Sequence, residues 1–466
     1  MQITTLNHSD RYSLEQVATL FFLPDEEGKI TSVYDADKKA VITEAEIGEK
    51  RVREEYPADI ADAKEFKNAV KKSAFLALKM LSGAKTPWGI LTGIRPAKFF
   101  LNLLNEHSVA ESERILSEEY WVSDEKIRLC SSVAQKEAKI LSGVGKNDVG
   151  IYIGIPFCPT RCAYCSFITE ASGVYAKHIE EYEEALEKEV IAMAKAVRDN
   201  GFSVNSFYIG GGTPPALGEK LLEKLIVKTQ EAFLPADDAE FTVEAGRPDV
   251  IGKSLLKMLA ERNVGRICIN PQTMNDETLK RIGRRHSAED TKRAFALARE
   301  AGFDNINSDI IAGLPGETNE MFAHTLEEIR ELSPEELTVH TMYLKRASRI
   351  RKEGALSDPG EAEKMVLLSG EFAKEEGYEP YYMYKQRNTV GNLENTGYAK
   401  SGKESVYNVC IMEETNTVLA CGAGASTKLV GKSIERIYNT KDVLAYIKEI
   451  DAIIKNKAEK IATSNI

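Results

Sequence analysis

Residues 151–167 read IYIGIPFCPTRCAYCSF, and the interpretation of the whole chain starts from this stretch. An apolar run rich in isoleucine stops at Pro156, and the loop that follows carries Cys158, Cys162 and Cys165. The chain has seven cysteines in all, so three within eight positions are not explained by composition. Thiolates this close in sequence can converge on one soft metal centre but are badly placed to pair with distant partners.

The number of thiols indicates which metal centre fits. A structural zinc site normally takes four ligands in a closed tetrahedron, and a [4Fe–4S] cluster usually takes four thiolates. Three thiolates from one loop therefore leave one iron of such a cluster open to a ligand from outside the protein. A structural zinc site or a redox-active thiol pair is the alternative, and the spacing favours the open cluster.

The C-x3-C-x2-C spacing, with Tyr164 immediately before the third cysteine, resembles the signature of radical S-adenosylmethionine (SAM) enzymes. The resemblance implies that SAM chelates the open iron and that one electron from the cluster cleaves its sulfonium. The 5′-deoxyadenosyl radical formed in this way would abstract a hydrogen atom from the substrate. The resemblance also implies a partial (β/α)6 barrel.

Composition and charge exclude several classes of protein. The chain has 466 residues, of which 43% are hydrophobic and 29% charged, as in a soluble protein with a sizeable core. Its net charge of −11 argues against a broad nucleic-acid surface, because phosphate binding needs clustered Lys and Arg. The N-terminus lacks a signal-peptide pattern, and no apolar run approaches ~18 residues. We therefore expect a cytoplasmic protein with no membrane span and no nucleic-acid partner.

The residue pattern divides the chain into three parts. Residues 1–145 predict an α+β domain of amphipathic helices and a small sheet that includes the alternating stretch Val17–Leu23. Residues 146–345 alternate strands with helices in six βα units, which predicts an α/β fold with a parallel, right-handed sheet and matches the partial barrel. Residues 346–466 predict a mixed C-terminal extension that covers the substrate and includes a strand over Tyr407–Met412.

Candidate binding residues fall at the carboxyl ends of the predicted strands, where parallel βα folds place their chemistry. The glycines of Gly210–Gly212 end the second strand and let a ligand approach the backbone with no Cβ in the way, although turns use such glycines too. Glu244 ends the third strand and is either a hydrogen-bond acceptor or a charge partner for a helix N-terminus. Gln272 follows the fourth strand.

Two charged residues extend this set. Arg284 offers a two-pronged donor for a carboxylate, with the adjacent Arg285 as its rival. Asp309 is an acid in an otherwise apolar strand, and a buried acid needs a partner. His340, on the sixth strand, is interpreted as a satisfied core group and is left out of the predicted site.

Longer motifs make the resemblance more specific. They are YIGIPFCPTRCAYCSF, YIGGGTPPAL, TVEAGRPD, NPQTMNDETLKRIGRRHS, INSDIIAGLPGET and CGAGAS. In these the chain resembles the oxygen-independent coproporphyrinogen III oxidases (coproporphyrinogen dehydrogenases) and their relatives. With PWGILTGIRP in its additional N-terminal region, it is most similar to the HemZ type of this family.

The resemblance implies a role for each residue that matches a family motif. Cys158, Cys162 and Cys165 would ligate the [4Fe–4S] cluster, and Tyr152 would pack beside it. The residues that would bind SAM are Gly211, Gly212, Thr213, Glu244, Gln272, Arg284 and Asp309.

The substrate implied by the resemblance is coproporphyrinogen III, whose propionates on rings A and B become vinyl groups in protoporphyrinogen IX. A low-potential electron donor of the flavodoxin or ferredoxin type would supply the cluster. A tetracarboxylate also needs cations at its pocket, although most of the available ones are better explained as a solvated charge run. These cations are Lys345, Arg346, Arg349, Arg351, Lys385 and Arg387.

One position departs from the family pattern. The authenticated oxidases carry a fourth cysteine two residues after the third, where this chain has Phe167, and the related haem chaperones lack that cysteine too. The sequence therefore leaves open a haem-binding or haem-delivery protein that retains a radical SAM cluster. A third hypothesis, tRNA modification by radical SAM chemistry, is disfavoured by the acidic charge and by the absence of an evident RNA-binding domain.

Overall fold

The computed structural model describes residues 1–22, 27–93, 95–165, 170–171, 173, 175–236, 238–343, 358–386 and 389–464. Phe167 and the predicted cations Lys345, Arg346, Arg349, Arg351 and Arg387 lie outside these residues. The chain forms two compact units, of which unit 1 comprises Met1–Ser132 and Lys385–Leu393 and unit 2 comprises Val133–Tyr384 and Glu394–Ile466. Across the described residues, no helix is both long enough and apolar enough to cross a bilayer.

Unit 1 contains a small sheet with helices packed on it. Its described strands are β1 (Gln2–Leu6), β2 (Lys29–Asp35), β3 (Ala40–Ile47) and β4 (Lys50–Pro57), hydrogen-bonded in that order. β1 runs parallel to β2, and the other pairs are antiparallel. The helices are α1 (Arg11–Ala18), α2 (Ala63–Ser82), α3 (Pro96–Leu104), α4 (Val109–Glu118) and α5 (Asp124–Leu141), the last of which has residues in both units.

The prediction of a strand beginning at Val17 is wrong, because this residue belongs to helix α1. Leu14, Val17 and Ala18 are all buried in the core of unit 1, at the three- and four-residue spacing of a helix face. The Asp10 side chain caps the helix by accepting a hydrogen bond from the Ser13 amide. The alternation that suggests a strand is short, and the helix begins upstream of it.

Unit 2 is built around one large sheet. Its elements in chain order are β5 (Asp148–Ile155), β6 (Phe157–Cys158), β7 (Glu170–Ala171), α6 (Ile179–Asp199), β8 (Ser203–Gly211), α7 (Glu219–Phe233), β9 (Glu240–Gly246), α8 (Lys253–Glu261), β10 (Arg266–Ile269), α9 (Asp276–Arg281), α10 (Ala288–Glu300), β11 (Ile306–Ala312), α11 (Asn319–Leu332), β12 (Glu336–Thr341), α12 (Pro359–Glu375), β13 (Glu379–Lys385), β14 (Glu394–Ala399), α13 (Val406–Glu413), β15 (Thr417–Cys421), β16 (Ser426–Val430), β17 (Ile434–Tyr438) and α14 (Val443–Thr463).

The order of strands in this sheet confirms the partial barrel. Over the described residues, the order is β13-β14-β12-β11-β10-β9-β8-β5-β15-β16-β17. The strands β5, β8, β9, β10, β11 and β12 are mutually parallel, as predicted. β14 then adds antiparallel to β12, and β15 adds parallel to β5 on the opposite side. In the described part of the chain, the sheet has two ends and is not a closed ring of hydrogen-bonded strands.

The parallel strands have one apolar face and one polar face. Ile151, Ile153 and Ile155 of β5 are fully buried in the main core. Tyr152, on the other face of the same strand, is only partly buried. Glu244 of β9 and Asp309 of β11 are partly buried in the same way, between fully buried neighbours. The strand pattern therefore directs apolar side chains to the helices and polar ones to the opposite face.

The prediction of a strand over Tyr407–Met412 is also wrong, because these residues form helix α13. Ser405 caps the helix by accepting a hydrogen bond from the Asn408 amide. Tyr407, Val409 and Cys410 are all buried, so the helix is apolar around much of its circumference. A short buried helix and a buried strand have the same continuous apolar pattern, which periodicity alone does not distinguish.

Buried charges occupy the amino ends of the parallel strands. Arg266, the first residue of β10, forms ion pairs with Glu240 at 2.9 Å and with Glu336. Glu240 also accepts hydrogen bonds from the Ser405 hydroxyl at 2.8 Å and the Val406 amide at 2.9 Å. These contacts fix the start of α13 at the end of the strands that is opposite the cysteine loop.

Candidate cofactor site

The three-cysteine loop follows directly from the carboxyl end of β5. Cys158, Cys162 and Cys165 are partly exposed, and none forms a disulfide bond. Among the residues that the structure describes, no group of three or more His, Cys, Asp or Glu side chains is arranged to hold a metal ion. The structure thus places the three thiols on one loop without gathering them around a common point.

The start of the loop is held by the segment that follows β8. The Gly212 amide donates to the Ile155 carbonyl at 2.7 Å, and the Thr213 amide donates to the Phe157 carbonyl at 2.8 Å. The Thr213 hydroxyl also donates to the sulfur of Cys158 at 3.5 Å. Thr213, which the family motif assigns to SAM binding, therefore contacts a predicted cluster ligand.

The glycines after β8 are required by close packing. A Cβ on Gly212 would lie 2.4 Å from the Phe157 carbonyl oxygen, and one on Gly210 would lie 2.6 Å from Glu244 Oε1. Gly211 has a φ of 106°, a conformation that favours glycine. At Gly210 and Gly212, glycine is therefore needed because other atoms of the protein occupy the space that a side chain would fill. A SAM contact at Gly211 and Gly212 stays a prediction.

Glu244 lies on the polar face beside this glycine turn. It accepts a 2.8 Å hydrogen bond from the Tyr208 hydroxyl. Burial raises the pKa of Glu244 to about 7, even though the Tyr208 hydrogen bond favours the ionised form, and the charge of Asp309 raises it further. Near neutral pH, this carboxyl group can be converted to its anion by an approaching cation.

Three tyrosine rings line the polar face next to Glu244. Tyr208 stacks on Tyr407 with ring centroids 4.7 Å apart, and on Tyr152 with centroids 6.3 Å apart. The interplanar angles are 20° and 23°, so the rings are nearly parallel. Tyr152, from within β5, belongs to this tyrosine stack, and its packing beside the cluster stays a prediction. Sequence reasoning missed Tyr407, and no local signal places it here.

Asp309 joins a second polar group on the same face. Its carboxylate accepts a 2.9 Å hydrogen bond from the Asn307 side chain and lies 3.7 Å from His340 Nε2. His340 Nδ1 is 3.2 Å from the Tyr384 hydroxyl. The His340 side chain is 29% exposed, so its interpretation as a core group is wrong. The backbone of Gln272 pairs with the same strand, its amide donating to the Asp309 carbonyl at 2.9 Å.

Arg284 contacts the cysteine loop. Its Nε and Nη2 donate to the Tyr164 hydroxyl at 3.2 and 2.7 Å. Its Nη1 is buried and makes no hydrogen bond to the described residues. The two nitrogens Nε and Nη2 thus donate to Tyr164, whereas the sequence predicts a paired donation to a SAM carboxylate. Nη1 remains as a donor for an anion. Arg285, the rival, is exposed.

Sequence reasoning missed Arg247, which is 3% exposed. Its Nη1 donates to the hydroxyl of Thr160, within the cysteine loop, at 2.6 Å and to the carbonyl of the same residue at 3.3 Å. Its Nε and Nη2 donate to Asp249 at 2.9 and 2.8 Å. Its position just after Glu244, at a strand end, is the sequence signal that could have identified it.

A cavity of about 270 Å³ lies beside the glycine turn. Its lining includes Tyr152, Pro156 and Gly212 on one side and Ala423–Ala425 and Lys441 on the other. The CGAGAS motif therefore contributes to the same region as the cysteine loop. The cavity gives a ligand access to the backbone at the end of β5.

Comparisons with known proteins show which family the chain belongs to. Residues 152–329 match the family model of the radical SAM superfamily. The chain is 37% identical over 404 residues to the oxygen-independent coproporphyrinogen-III oxidase-like protein HemZ of Bacillus subtilis, covering 84% of this chain and 81% of that one. It is 31% identical to the heme chaperone HemW of Bacillus subtilis, covering 64% and 74%.

Two further comparisons extend this set. The chain is 26% identical to an oxygen-independent coproporphyrinogen III oxidase of Cereibacter sphaeroides, covering 65% of this chain and 66% of that one. The solved structure of coproporphyrinogen III oxidase (HemN) from Escherichia coli superposes with a TM-score of 0.55 at 24% identity, covering 68% and 72%. At this identity, the structural match establishes the fold.

The superfamily's cofactors are a [4Fe–4S] cluster and SAM. The residues fit this pair in donor type: three thiols on one loop suit iron and sulfide, and Arg284 Nη1, which has no hydrogen-bond partner among the described residues, suits an anionic group. The cluster geometry itself is not preformed in the described residues. The chain therefore belongs to the radical SAM superfamily and, within it, to the oxygen-independent coproporphyrinogen-III oxidase-like proteins of the HemZ type.

Proposed function

We propose that this protein converts coproporphyrinogen III to protoporphyrinogen IX by oxidative decarboxylation without oxygen. The observation that carries the proposal is the three-cysteine loop at the carboxyl end of β5, beside the glycine turn and Glu244, in a chain of this family. Each of two propionates loses one hydrogen atom to the 5′-deoxyadenosyl radical, then releases CO2 and gives one electron to an electron acceptor, and so becomes a vinyl group.

Cys158, Cys162 and Cys165 are the proposed ligands of the cluster, and a low-potential donor of the flavodoxin or ferredoxin type reduces it. When bound, the cluster and SAM supply the carbon radical that removes hydrogen from an unactivated C–H bond.

The surrounding residues hold SAM in place. Glu244 accepts hydrogen bonds from its amino or ribose groups, and its raised pKa leaves this carboxyl group only partly ionised at neutral pH before SAM binds. Arg284 Nη1 donates to its carboxylate, since the other two guanidinium nitrogens are on Tyr164. The Gly211 region allows the ligand to approach the backbone.

The substrate binds further along the polar face. A porphyrinogen presents four pyrrole N–H donors, and the carboxylate of Asp309 and the imidazole of His340 are acceptors on neighbouring strands. Tyr384 fixes the orientation of His340 through its hydroxyl. Because Asp309 also matches a SAM motif, it lies where cofactor and substrate meet.

An anaerobic product analysis tests this proposal. Reconstituted and reduced full-length protein is incubated with SAM and coproporphyrinogen III, and the tetrapyrroles, CO2 and 5′-deoxyadenosine are quantified. We expect protoporphyrinogen IX and CO2 in a fixed ratio to cleaved SAM, and neither product from Cys162→Ala. Stable haem binding, with SAM cleavage uncoupled from any porphyrin product, would contradict the proposal.

A haem-binding or haem-delivery protein is the second candidate. Two observations favour it: the heme chaperone HemW of Bacillus subtilis is more similar to this chain than the Cereibacter oxidase is, at 31% against 26% identity, and His340 with Tyr384 offers two side-chain types that bind haem iron. Titration of the anaerobic wild-type and His340→Gln proteins with haem distinguishes this candidate. A haem-binding protein should bind haem with an affinity that falls in His340→Gln, and wild type should show no decarboxylase activity.

A further inference from the structure

Arg247 links the cysteine loop to the segment after β9. It is only 3% exposed, and its guanidinium group holds Thr160 through both the hydroxyl and the carbonyl oxygen. The remaining donors form a bidentate pair with Asp249. This pairing offsets the charge of the buried guanidinium and fixes its plane. A side chain held in this way cannot move without releasing the loop.

The two contacts between arginines and the loop alternate with its cysteines. Thr160, held by Arg247, lies between the first and second cysteines, and Tyr164, held by Arg284, lies between the second and third. Each interval between cysteines is therefore tied to a different part of the barrel. Thr160 and Arg247 are 87 positions apart in sequence, so this contact constrains the loop from outside its own chain segment.

Two backbone hydrogen bonds restrain the second half of the loop. The Ala163 amide donates to the Ile282 carbonyl at 3.0 Å, and the Cys165 amide donates to the Cys162 carbonyl at 3.3 Å. These two amides report directly on whether the loop keeps its conformation. Their hydrogen exchange can be followed in protein that contains no metal.

We propose that Arg247 is a positioning residue that fixes the main chain between the first and second cysteines before a cluster binds. This role rests on the proposed function, in which the three cysteines hold the cluster. In this role, Arg247 acts on the loop through Thr160 and does not need to contact the thiols. Its neighbour Asp249 orients the guanidinium and keeps the pair electrically balanced.

The first test uses the full-length apo protein. Hydrogen exchange of the peptide 157–165 is compared among wild type, Arg247→Gln, Thr160→Val and a matched control, Arg262→Gln. Arg262 pairs with Glu223 of α7 in the same unit, so its replacement removes the same charge away from the loop. We expect exchange about tenfold faster in Arg247→Gln, the size expected for loss of hydrogen bonds to a charged group, and a smaller increase in Thr160→Val.

Two variants separate loss of the Thr160 contact from effects of charge and of folding. Arg247→Gln combined with Asp249→Asn keeps the net charge of the pair, so faster exchange there reflects the lost contact with Thr160. Thr160→Val keeps the buried ion pair intact and removes only the hydroxyl contact, which protects the test from a folding defect. Exchange equal to that of the Arg262→Gln control in both Arg247→Gln and Thr160→Val would overturn the proposal.

The second test uses the reconstituted protein. Iron content, the g values of the reduced cluster and the half-time of iron loss to a chelator are measured for the same variants. We expect Arg247→Gln and Thr160→Val to lose iron at least about fivefold faster than wild type and Arg262→Gln, because a loop that has lost its restraint holds its ligands less well. If the wild-type protein binds no cluster, the proposed function is wrong. The exchange rates of the apo protein would still show whether Arg247 restrains the loop.

Discussion

The hydroxyl of Tyr208 donates a 2.8 Å hydrogen bond to Oε1 of Glu244, a carboxyl group whose pKa burial raises to about 7. The two residues lie on adjacent parallel strands, β8 and β9. The Gly211 backbone also donates to this carboxyl group. The protein thus keeps an acid at the predicted SAM site that is only partly ionised at neutral pH.

The affinity for SAM is expected to rise with pH through this range. Between pH 6 and pH 8, the ionised fraction of a group with a pKa of about 7 increases about tenfold, and the anion is a much stronger hydrogen-bond acceptor for the SAM amino or ribose groups than the neutral acid. We expect the Kd, measured by calorimetry on anaerobic protein, to fall by a comparable factor. Glu244→Gln should bind SAM more weakly and without this dependence. The same pH profile in both proteins would exclude Glu244 as its source.

Replacement of Cys162 by alanine is expected to abolish cluster binding and SAM cleavage. The residue is partly exposed on the loop, so the fold should be unchanged by circular dichroism and thermal unfolding. Cys410→Ala is the matched control, because this thiol is buried in helix α13 and outside the loop. A full complement of iron in Cys162→Ala would show that the ligand assignment is wrong.

Gly212→Ala is expected to destabilise unit 2 and disturb the cysteine loop. The added Cβ would lie 2.4 Å from one backbone oxygen and 2.9 Å from another, neither of which can rotate away. Overpacking of this kind costs about 1–3 kcal/mol. Gly252→Ala is the control, since nothing lies within 4 Å of its added Cβ. Urea denaturation of both variants measures the difference, and equal midpoints would refute the packing argument.

The buried pair Glu189–Lys457 should be important for stability. Both side chains are fully buried, 2.5 Å apart, and Glu189 also accepts hydrogen bonds from Tyr446 and the Gly422 amide. Lys457→Met leaves a buried carboxylate without its cation and is expected to cost about 3–5 kcal/mol of unfolding free energy.

Two variants check this expectation by chemical denaturation. The double variant Glu189→Gln with Lys457→Met should recover part of the loss, because no unpaired charge remains. Lys455→Met, at a side chain that is 78% exposed, should change stability by less than about 0.5 kcal/mol. If Lys457→Met has the same unfolding free energy as Lys455→Met, the buried pair does not stabilise the protein.

Local patterns predicted most of the barrel. The six parallel strands each carry a strong apolar pattern bounded by turns, and the cysteine loop is contiguous in sequence. The strand prediction for Tyr407–Met412 is wrong because a short run of buried aromatic and β-branched residues suits either a strand or a helix. The Ser405 side chain caps this segment and so favours the helix.

Contacts between distant segments could not be predicted. The pairing of Arg247 with Thr160 depends on how β9 lies relative to β5, and an arginine near a strand end has no local feature that distinguishes it from a solvated one. His340 is similar, since its partners Asp309 and Tyr384 come from other strands. Sequence therefore predicts contiguous motifs such as the cysteine loop, but not the distant residues that contact them.

The strand that leads into the cysteine loop has neighbours made at very different times during synthesis. β5 pairs on one side with β8 and on the other with β15, whose residues 417–421 follow the loop by more than 250 positions. A ribosome must therefore release the chain through residue 421 before β5 is flanked on both sides. We therefore expect iron and sulfide to enter this loop only after β15 has been made, and chains that end before residue 417 to remain metal-free.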